Sequence, residues 1–275
     1  DPGDIVLVPD PCYPIFGDGP SIAGAELYPM ALRREKEYLI DFDEIPQQVA
    51  DRAKLMVVSY PNNPTTALAP DWWYDECIAF AREHQIMVLH DNAYSELVFD
   101  REPTGSFLAH PGAREVGVEF NSLSKTYGLA GARIGFCIGN AEMVEKLAEL
   151  KSNMDYGIFL PVQKAAIAAI TGDQSCVSST REAYRRRRDC FCDGCTAIGW
   201  PVERCPGTMF VWAKIPETYD SSAAFVQDLL ERAGVLVTPG SAFGKSGEGY
   251  VRVALVKDEE ELSEAIGRME KSGIF

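Results

Sequence analysis

Short runs of consecutive apolar residues alternate with helical patterns along the first half of the chain. One helical pattern covers residues 71–83, and a second, acidic one covers 41–53. Strands that are apolar on both sides are typical of a parallel sheet with helices on both faces. The pattern therefore predicts an α/β fold with a mostly parallel sheet. The predicted strands lie at residues 5–8, 25–29, 55–58, 86–89, 116–120 and 134–138.

The pattern changes in the second half, where the strands and helices are shorter. Helical patterns near 162–171 and 180–198 precede short strands and a final helix. This mixture predicts a smaller α+β domain at the C-terminal end. A loop at 152–160 separates the two patterns, so the predicted domains are 1–155 and 156–275.

Polar and aromatic side chains follow four of the predicted strands at their carboxyl ends. In parallel sheets these ends meet at one edge, where ligands bind. One such group would fit an ordinary turn, but four groups at the same edge predict a binding site. The residues are Tyr13, Asn63, Asp91 with Tyr94, and Ser122 with Lys125.

The fourth group opens a glycine-rich segment, residues 121–136, with the sequence NSLSKTYGLAGARIGF. Partial burial makes a lysine amine such as that of Lys125 a nucleophile toward carbonyl groups. Ser122, Ser124 and Arg133 provide hydroxyls and a planar guanidinium, which are the groups that bind a phosphate monoester. An aldehyde that carries a phosphate meets both requirements, and pyridoxal 5'-phosphate (PLP) is such a ligand.

Two other interpretations of Lys125 are open at this level. A lysine in a glycine-rich loop is often only solvated. A nucleotide-binding P-loop also places a lysine before a hydroxyl residue, here Thr126, but it requires glycine where this chain has Glu119 and Ser124. The other strand-end groups favour the cofactor over a solvated lysine.

The chain is acidic, with a formal net charge of −15 over 275 residues. Nucleic acids and anionic membrane surfaces bind basic patches, so neither is a predicted partner. Four consecutive arginines at 185–188 lie in a helical pattern, where they point in different directions and are expected to be solvated and partly ion-paired. No apolar run has the length of a membrane span.

Eight cysteines are too few for a disulfide scaffold in a chain of this length. Cys190, Cys192 and Cys195 are closely spaced, but a zinc site would need paired C-x-x-C units or nearby histidines. Free cysteine packs as a small apolar residue, so these three are expected to fill core positions, and no metal site is predicted. Reduced thiols indicate a cytoplasmic protein.

Six segments, in a fixed order over almost the whole chain, carry a family resemblance. They are DPCYP (10–14), YPNNPT (60–65), DNAY (91–94), SLSKTYGLAGARIGF (122–136), VTPGSAFG (237–244) and YVRVAL (250–255). With them the chain resembles the class I and II aminotransferases, which are PLP-dependent enzymes of fold type I. It is most similar to their aspartate and LL-diaminopimelate aminotransferase branch. The resemblance implies that residues 1–155 are the PLP-binding large domain.

The resemblance implies catalytic roles for Lys125, Asp91 and Tyr94. Lys125 matches the lysine that is joined covalently to the cofactor aldehyde and then moves a proton. Asp91 matches the carboxylate that keeps the pyridine nitrogen protonated. Tyr94 and Asn63 match the donors to the phenolic oxygen of the ring, and Tyr13 matches the aromatic residue that stacks on it.

Phosphate and substrate ligands follow from the same match. Ser122, Ser124 and Arg133 match the phosphate ligands of the family. Arg252 matches the arginine that binds the substrate α-carboxylate in a bidentate manner, with Asn63 beside it. The resemblance also implies a homodimer of the full-length protein.

Two features depart from the family pattern. Thr66 takes the place of the usual glycine after the asparagine motif, and we expect a modest backbone change there. The family also has an N-terminal region with a glycine/serine loop that helps to hold the phosphate, and a tyrosine that reaches the partner's phosphate. This sequence starts at Asp1 within a strand pattern, so we expect the large domain to be N-terminally incomplete.

The implied activity moves an amino group from an L-amino acid to a 2-oxo acid, with 2-oxoglutarate as the expected acceptor. A C–S β-lyase of the same fold is one alternative, because the same carbanion can eliminate instead. A PLP-binding sensor domain of a transcription regulator is another, with its DNA-binding part before Asp1. The donor amino acid is not readable, because its pocket is expected to include the partner's loop near 155–156.

Overall fold

The computed structural model describes residues 1–100 and 105–275. Its strands are β1 (Ile5–Asp10), β2 (Glu26–Ala31), β3 (Ala53–Ser59), β4 (Met87–Asp91), β5 (Gly117–Ser122), β6 (Gly135–Gly139), β7 (Phe210–Lys214), β8 (Thr238–Pro239) and β9 (Tyr250–Ala254). Its helices are α1 (Ile15–Ile22), α2 (Gln47–Ala50), α3 (Asp71–Glu83), α4 (Ala113–Val116), α5 (Leu123–Thr126), α6 (Ala141–Met154), α7 (Leu160–Thr171), α8 (Ser175–Ala197), α9 (Ser222–Ala233) and α10 (Glu259–Ser272).

Six strands of the described residues form the larger sheet, in the order β2-β1-β3-β4-β5-β6. The first five are parallel, whereas β6 runs antiparallel to β5. The six predicted strands and the mostly parallel sheet are therefore confirmed. Because parallel strands point the same way, the segments that follow β1, β3, β4 and β5 meet at one edge.

One face of this sheet carries the main core. Met56 and Val58 of β3 are buried there in one cluster with Trp73 and Cys77 of α3. The indole nitrogen of Trp73 donates to the carbonyl oxygen of Ile40 at 2.9 Å and ties the loop before α2 to α3. Burying a side chain such as that of Met56 or Val58 contributes ~1.5–3 kcal/mol to stability, which explains why the strands are continuously apolar.

The second sheet is small and antiparallel, in the order β7-β9-β8. Val211 of β7, Val251 of β9 and Phe225 of α9 are fully buried in its core. The predicted smaller α+β part is therefore confirmed. The residues between α6 and α7 include the predicted domain boundary at 155/156, and the division into two domains stays a prediction.

The helix predicted at 41–53 is wrong. A 3₁₀ turn, Phe42–Glu44, and the four-residue helix α2 take its place. Pro46 separates the two because it has no N–H to donate and its ring blocks the preceding helical turn. The carboxylate of Asp41 accepts from the backbone N–H of Asp43 at 3.0 Å and caps the 3₁₀ turn.

Arg188 is buried, in contrast to the solvated run expected at 185–188. Its side chain is only 3% exposed, whereas that of Arg186 is exposed as predicted. Arg188 Nη1 donates to Asp100 Oδ2 at 2.6 Å and to the carbonyl oxygen of Cys205 at 3.0 Å. These partners compensate the charge of the Arg188 guanidinium, which the packing of α8 places in the protein interior.

The last residue of β1 and the turn after it contact the segment that follows β8. The backbone N–H of Cys12 donates to the carbonyl oxygen of Phe243 at 2.8 Å, and Ser246 Oγ donates to Asp10 Oδ2 at 3.0 Å. Gly244 has a φ of +135°, and a Cβ there would lie 1.8 Å from Asp10 Oδ1. Only glycine fits this contact between the two sheets.

The cysteines of the chain are free thiols. Cys192 and Cys195 are buried in the second core, as predicted, whereas Cys190 is only partly buried. Within residues 1–100 and 105–275, no three His, Cys, Asp or Glu side chains cluster as metal ligands would. In the same ranges, every helix is too short or too polar to cross a lipid bilayer.

Candidate active site

The strand ends bring the predicted carboxylate and amine to the same edge of the larger sheet. Asp91 is the last residue of β4 and pairs with Phe120 of β5. The N–H of Asn92 donates to the carbonyl oxygen of Phe120 at 2.9 Å, so the two strands stay joined beyond Asp91. Ser122 ends β5, and Lys125 lies in α5 directly after it. Asp91 and Lys125 thus follow adjacent strands.

Helix α5 places Lys125 beside two hydroxyl groups. The backbone N–H of Ser124 donates to Ser122 Oγ at 3.1 Å, which caps the helix. The hydroxyl hydrogen of Ser122 stays available for another acceptor. Lys125 is partly buried, and among the described residues it has neither a hydrogen bond nor an ion pair. An amine in this setting is suited to attack a carbonyl group.

Arg133 closes the glycine-rich segment in a left-handed backbone conformation. Its φ is +52°, which costs about 1–2 kcal/mol for a residue with a side chain. Arg133 Nη1 donates to the carbonyl oxygen of Ala130 at 3.1 Å, and its other N–H groups are left for a ligand. Such strain concentrates at functional sites, where the surrounding structure maintains it.

Thr66 has the same kind of strained backbone. Its φ is +64°, in the region that favours glycine, and its N–H donates to the carbonyl oxygen of Asn62 at 2.9 Å. The turn after the asparagine motif therefore retains a left-handed residue although the glycine is replaced. A β-branched residue in this region is a conformational outlier.

Burial sets the protonation chemistry of Asp91 and Tyr94. Burial raises the pKa of Asp91, while a hydrogen bond from the N–H of Ala93 at 3.1 Å and the charge of His90 oppose the shift. Burial and the charge of Asp91 raise the pKa of Tyr94, and Arg252 opposes this. Tyr94 is thus a neutral hydrogen-bond donor, and a cationic partner would favour the ionised form of Asp91.

Arg252 extends from β9 to the same edge. Its Nη1 donates to Asn63 Oδ1 at 2.8 Å. Its guanidinium carbon lies 4.2 Å from the ring centre of Phe210 and 4.5 Å from that of Phe243, so two aromatic rings hold the cation. Cation–π contacts of this kind stabilise a guanidinium that has lost water.

The Arg252 guanidinium is prepared for an anion. Its Nε is buried without a hydrogen-bond partner in the described part of the chain, and no carboxylate there pairs with it. Burial lowers the pKa of Arg252, and Tyr94 and Tyr13 oppose the shift. A buried cation with an unused N–H gains most from a ligand carboxylate, which can accept two parallel hydrogen bonds.

Tyr13 is the most exposed of the predicted site residues at the strand ends. Its side chain is 47% exposed, and its ring packs edge-on against Phe16 at 6.1 Å between centres. One face of the ring is therefore open for stacking with a flat ligand.

The comparisons with known proteins agree with this geometry. The family profile "Aminotransferase class I and II" matches residues 1–269. The chain belongs to the class I and II aminotransferases. It is 47% identical over 271 residues to the LL-diaminopimelate aminotransferase of Moorella thermoacetica, an alignment that covers 98% of this chain and 69% of the relative.

Solved aminotransferase-like structures share the fold. Apo-BacF from Bacillus subtilis superposes with a TM-score of 0.96 at 43% identity, over 98% of this chain and 69% of that one. A double mutant of Thermus thermophilus aspartate aminotransferase superposes with a TM-score of 0.91 at 29% identity, over 99% and 70%. The family and fold type I expected from the sequence are confirmed, and neither the lyase nor the sensor alternative is favoured.

The donor set of this aminotransferase fits PLP. Two hydroxyls and a guanidinium suit its phosphate, a buried carboxylate suits its ring nitrogen, and an unpaired amine suits its aldehyde. The roles of the individual residues stay predictions. These residues are Tyr13, Asn63, Asp91, Tyr94, Ser122, Ser124, Lys125, Arg133 and Arg252.

Sequence analysis missed two groups of supporting residues. The rings of Phe210 and Phe243 hold Arg252, and the only signal was the position of Phe243 in the VTPGSAFG segment. His90 and Glu119 are buried beside the strand ends. Glu119 lies inside the apolar run at 116–120, and this could have indicated the pair, because a buried carboxylate needs hydrogen-bond partners.

Proposed function

We propose that this protein is a PLP-dependent aminotransferase that moves the amino group of LL-diaminopimelate to a 2-oxo acid, with 2-oxoglutarate as the acceptor. The observation that carries the proposal is the partly buried Arg252 guanidinium, fixed by Asn63 and two aromatic rings at the edge where Lys125 and Asp91 lie. It is a preformed carboxylate receptor beside a nucleophilic amine. The relatives named LL-diaminopimelate aminotransferase support the choice of donor.

Different residues of this chain are proposed to bind different parts of the cofactor. Bound PLP supplies an aldehyde and an electron-withdrawing ring. Asp91 would hold the proton on the pyridine nitrogen, because its largely desolvated carboxylate would be stabilised by that cation. The Tyr94 hydroxyl and the Asn63 amide would donate to the phenolic oxygen, and Tyr13 would stack on the ring.

Three residues hold the phosphate, and two act on the substrate. Ser122, Ser124 and Arg133 donate hydrogen bonds to the phosphate oxygens. Arg252 orients the amino acid through its α-carboxylate. Lys125 Nζ would then take the proton from the substrate α-carbon and hold it for return, since among the described residues it is the amine at this edge that has neither a hydrogen bond nor an ion pair.

The active assembly is a homodimer, in which the partner's loop near Tyr156 completes the substrate pocket. Tyr156 is 96% exposed, and the neighbouring apolar side chains of Met154, Phe159 and Leu160 are exposed as well. Such a patch favours a protein partner over water. Free thiols favour a cytoplasmic location. Residues 1–155 form the PLP-binding domain and 156–275 the smaller domain.

Spectroscopy of the purified protein with added PLP tests the proposal. We expect a visible absorption band from lysine-bound PLP, and borohydride reduction followed by peptide mass spectrometry is expected to label Lys125. Lys125→Ala removes the label, whereas Lys151→Ala keeps it. A label elsewhere, or none, would overturn the proposal.

The donor is identified by adding amino acids to the PLP-loaded protein. LL-diaminopimelate is expected to convert the band to that of the amine form faster than glutamate, aspartate or alanine, and 2-oxoglutarate is expected to restore it. Release of pyruvate and ammonia from cystathionine without an acceptor would instead indicate the C–S β-lyase.

A further inference from the structure

His90 and Glu119 contact each other inside the core, on the opposite face of the sheet from Asp91. They are register partners on β4 and β5, and their exposed fractions are 0% and 3%. His90 Nδ1 lies 3.2 Å from Glu119 Oε2. None of the roles assigned above uses this pair. Because burying two ionisable groups is costly, each needs its hydrogen bonds satisfied.

Glu119 is a carboxylate at neutral pH. Ser106 Oγ donates to its Oε2 at 2.8 Å, and Asn121 Nδ2 donates to its Oε1 at 2.7 Å. Burial by itself would raise the pKa of Glu119, but these hydrogen bonds and His90 hold it at about 2. The Glu119 oxygens therefore accept hydrogen bonds and have no proton to donate.

Both ring nitrogens of His90 consequently face acceptors. Nδ1 faces the Glu119 carboxylate, and Nε2 lies 3.2 Å from the carbonyl oxygen of Tyr60. A neutral imidazole has a single N–H, so it would leave one nitrogen lone pair against an oxygen. Only the imidazolium satisfies both contacts. The rings of Tyr74 and Phe107 enclose it, at 5.7 and 5.8 Å between centres.

The cation lies next to Asp91 in the chain. Burial raises the pKa of Asp91, and the hydrogen bond from Ala93 and, among the described charged groups, His90 lower it. Since the two side chains project from opposite faces of β4, the charge acts through the sheet without a direct contact. Glu119 lies on the neighbouring strand and is not among the groups that shift the pKa of Asp91.

We propose that His90 is an imidazolium fixed by Glu119, and that its charge keeps Asp91 ionised and ready to bind the protonated ring nitrogen of the cofactor. The role of Asp91 in this inference rests on the proposed function. His90 and Glu119 touch neither substrate nor cofactor and are positioning residues. They set the charge state of Asp91 before any ligand arrives.

Nitrogen NMR of the protein without PLP tests whether His90 is an imidazolium. The chain has three histidines, so ¹⁵N-histidine labelling gives a simple spectrum, which His84→Gln, His90→Gln and His110→Gln assign. Both His90 nitrogens are expected in the protonated region at neutral pH. In Glu119→Gln, a nearly isosteric change, Nδ1 is expected to lose its proton. A wild-type His90 with one unprotonated nitrogen would overturn the proposal.

Two measurements test whether the charge of His90 keeps Asp91 ionised. In protein labelled with ¹³C at aspartate carboxyls, Asp91→Asn identifies the Asp91 signal, which is expected to titrate at higher pH in His90→Gln than in the wild type. PLP affinity is expected to fall roughly tenfold in His90→Gln, the size of one ion–ion interaction inside a protein. The matched control is His110→Gln, whose ring packs on Tyr74 and pairs with exposed Asp75.

The outcomes separate this inference from the proposed function. If the Asp91 titration and PLP affinity change no more in His90→Gln than in His110→Gln, the link to Asp91 is wrong. If His90→Gln unfolds, Glu119→Gln gives the same comparison with less disturbance of shape. If the wild type binds no PLP, the proposed function fails, and the carboxyl signal of Asp91 still decides the inference.

Discussion

Arg252 and Asn63 lie 189 residues apart in the sequence, yet Arg252 Nη1 donates to Asn63 Oδ1 at 2.8 Å. The hydrogen bond joins the small sheet to the turn that follows β3. Because the amide oxygen of Asn63 is used by Arg252, its NH₂ group is left to donate to a ligand. Arg252, the proposed substrate ligand, and Asn63, a proposed cofactor ligand, therefore orient each other.

Replacing Arg252 with lysine should impair substrate binding without loss of PLP. Arg252→Lys removes the planar fork and the stacking between two rings, so kcat/KM is expected to fall about 100-fold for every amino donor, which corresponds to ~2.7 kcal/mol. Steady-state kinetics give the loss, and the visible band reports cofactor binding. Arg268→Lys on exposed α10 is the control. An unchanged kcat/KM would show that another residue holds the carboxylate.

The buried guanidinium of Arg188 should matter for stability. Arg188→Met leaves the carbonyl oxygen of Cys205 without its donor and removes the pair with Asp100, so the free energy of unfolding is expected to fall by about 2–4 kcal/mol. Urea denaturation measures the change. Arg186→Met, at an exposed pair, should change stability by less than about 1 kcal/mol. Equal effects of the two variants would contradict this account.

Two glycine-to-alanine changes should have opposite effects on the free energy of unfolding. Gly244→Ala puts a Cβ against Asp10 at a φ of +135°, and a loss of at least about 2 kcal/mol in unfolding free energy is expected. Gly267→Ala in α10 meets no atom within 4 Å and should add about 0.5–1 kcal/mol. The melting temperatures of both variants test these predictions. A Gly244→Ala variant more stable than the wild type would contradict the clash with Asp10.

Glu119 should contribute to the pH dependence of stability. Its folded pKa, about 2, lies below its ordinary value of 4.5, so its contribution is complete above about pH 4.5 and is lost as the pH falls toward 2. From the size of the shift, the contribution at neutral pH is about 3 kcal/mol. Urea unfolding at a series of pH values is expected to show Glu119→Gln less stable at neutral pH. The difference from the wild type should shrink as the pH falls below 4.5, and a constant difference would argue against the ion pair.

The sequence predicts those features that depend on neighbours in the chain. The apolar runs became β1, β3 and β4 because strands buried on both faces have nowhere to place polar groups. Lys125 and Asp91 were located at one edge because the carboxyl ends of parallel strands coincide. The helix predicted at 41–53 failed at Pro46, whose effect on the backbone outweighs the helical pattern around it.

Features that depend on packing between distant segments were not predictable. The stacking of Phe210 and Phe243 on Arg252 requires β7 to pair with β9 and the turn after β8 to fold over both. The burial of Arg188 depends on how α8 is rotated against the second core. A single sequence contains no information on that rotation, because an arginine suits either side of a helix when a partner is available.

The contact of Asp10 with Ser246 also affects when the protein can finish folding during synthesis. Asp10 leaves the ribosome 236 residues before Ser246, so the turn after β1 obtains its partners only once residues 243–246 have emerged. Pairings this distant in sequence form slowly. The residues around Asp10 and Cys12 must therefore stay without these partners until residues 243–246 are made, which is the period when a chaperone that covers them would be of greatest use.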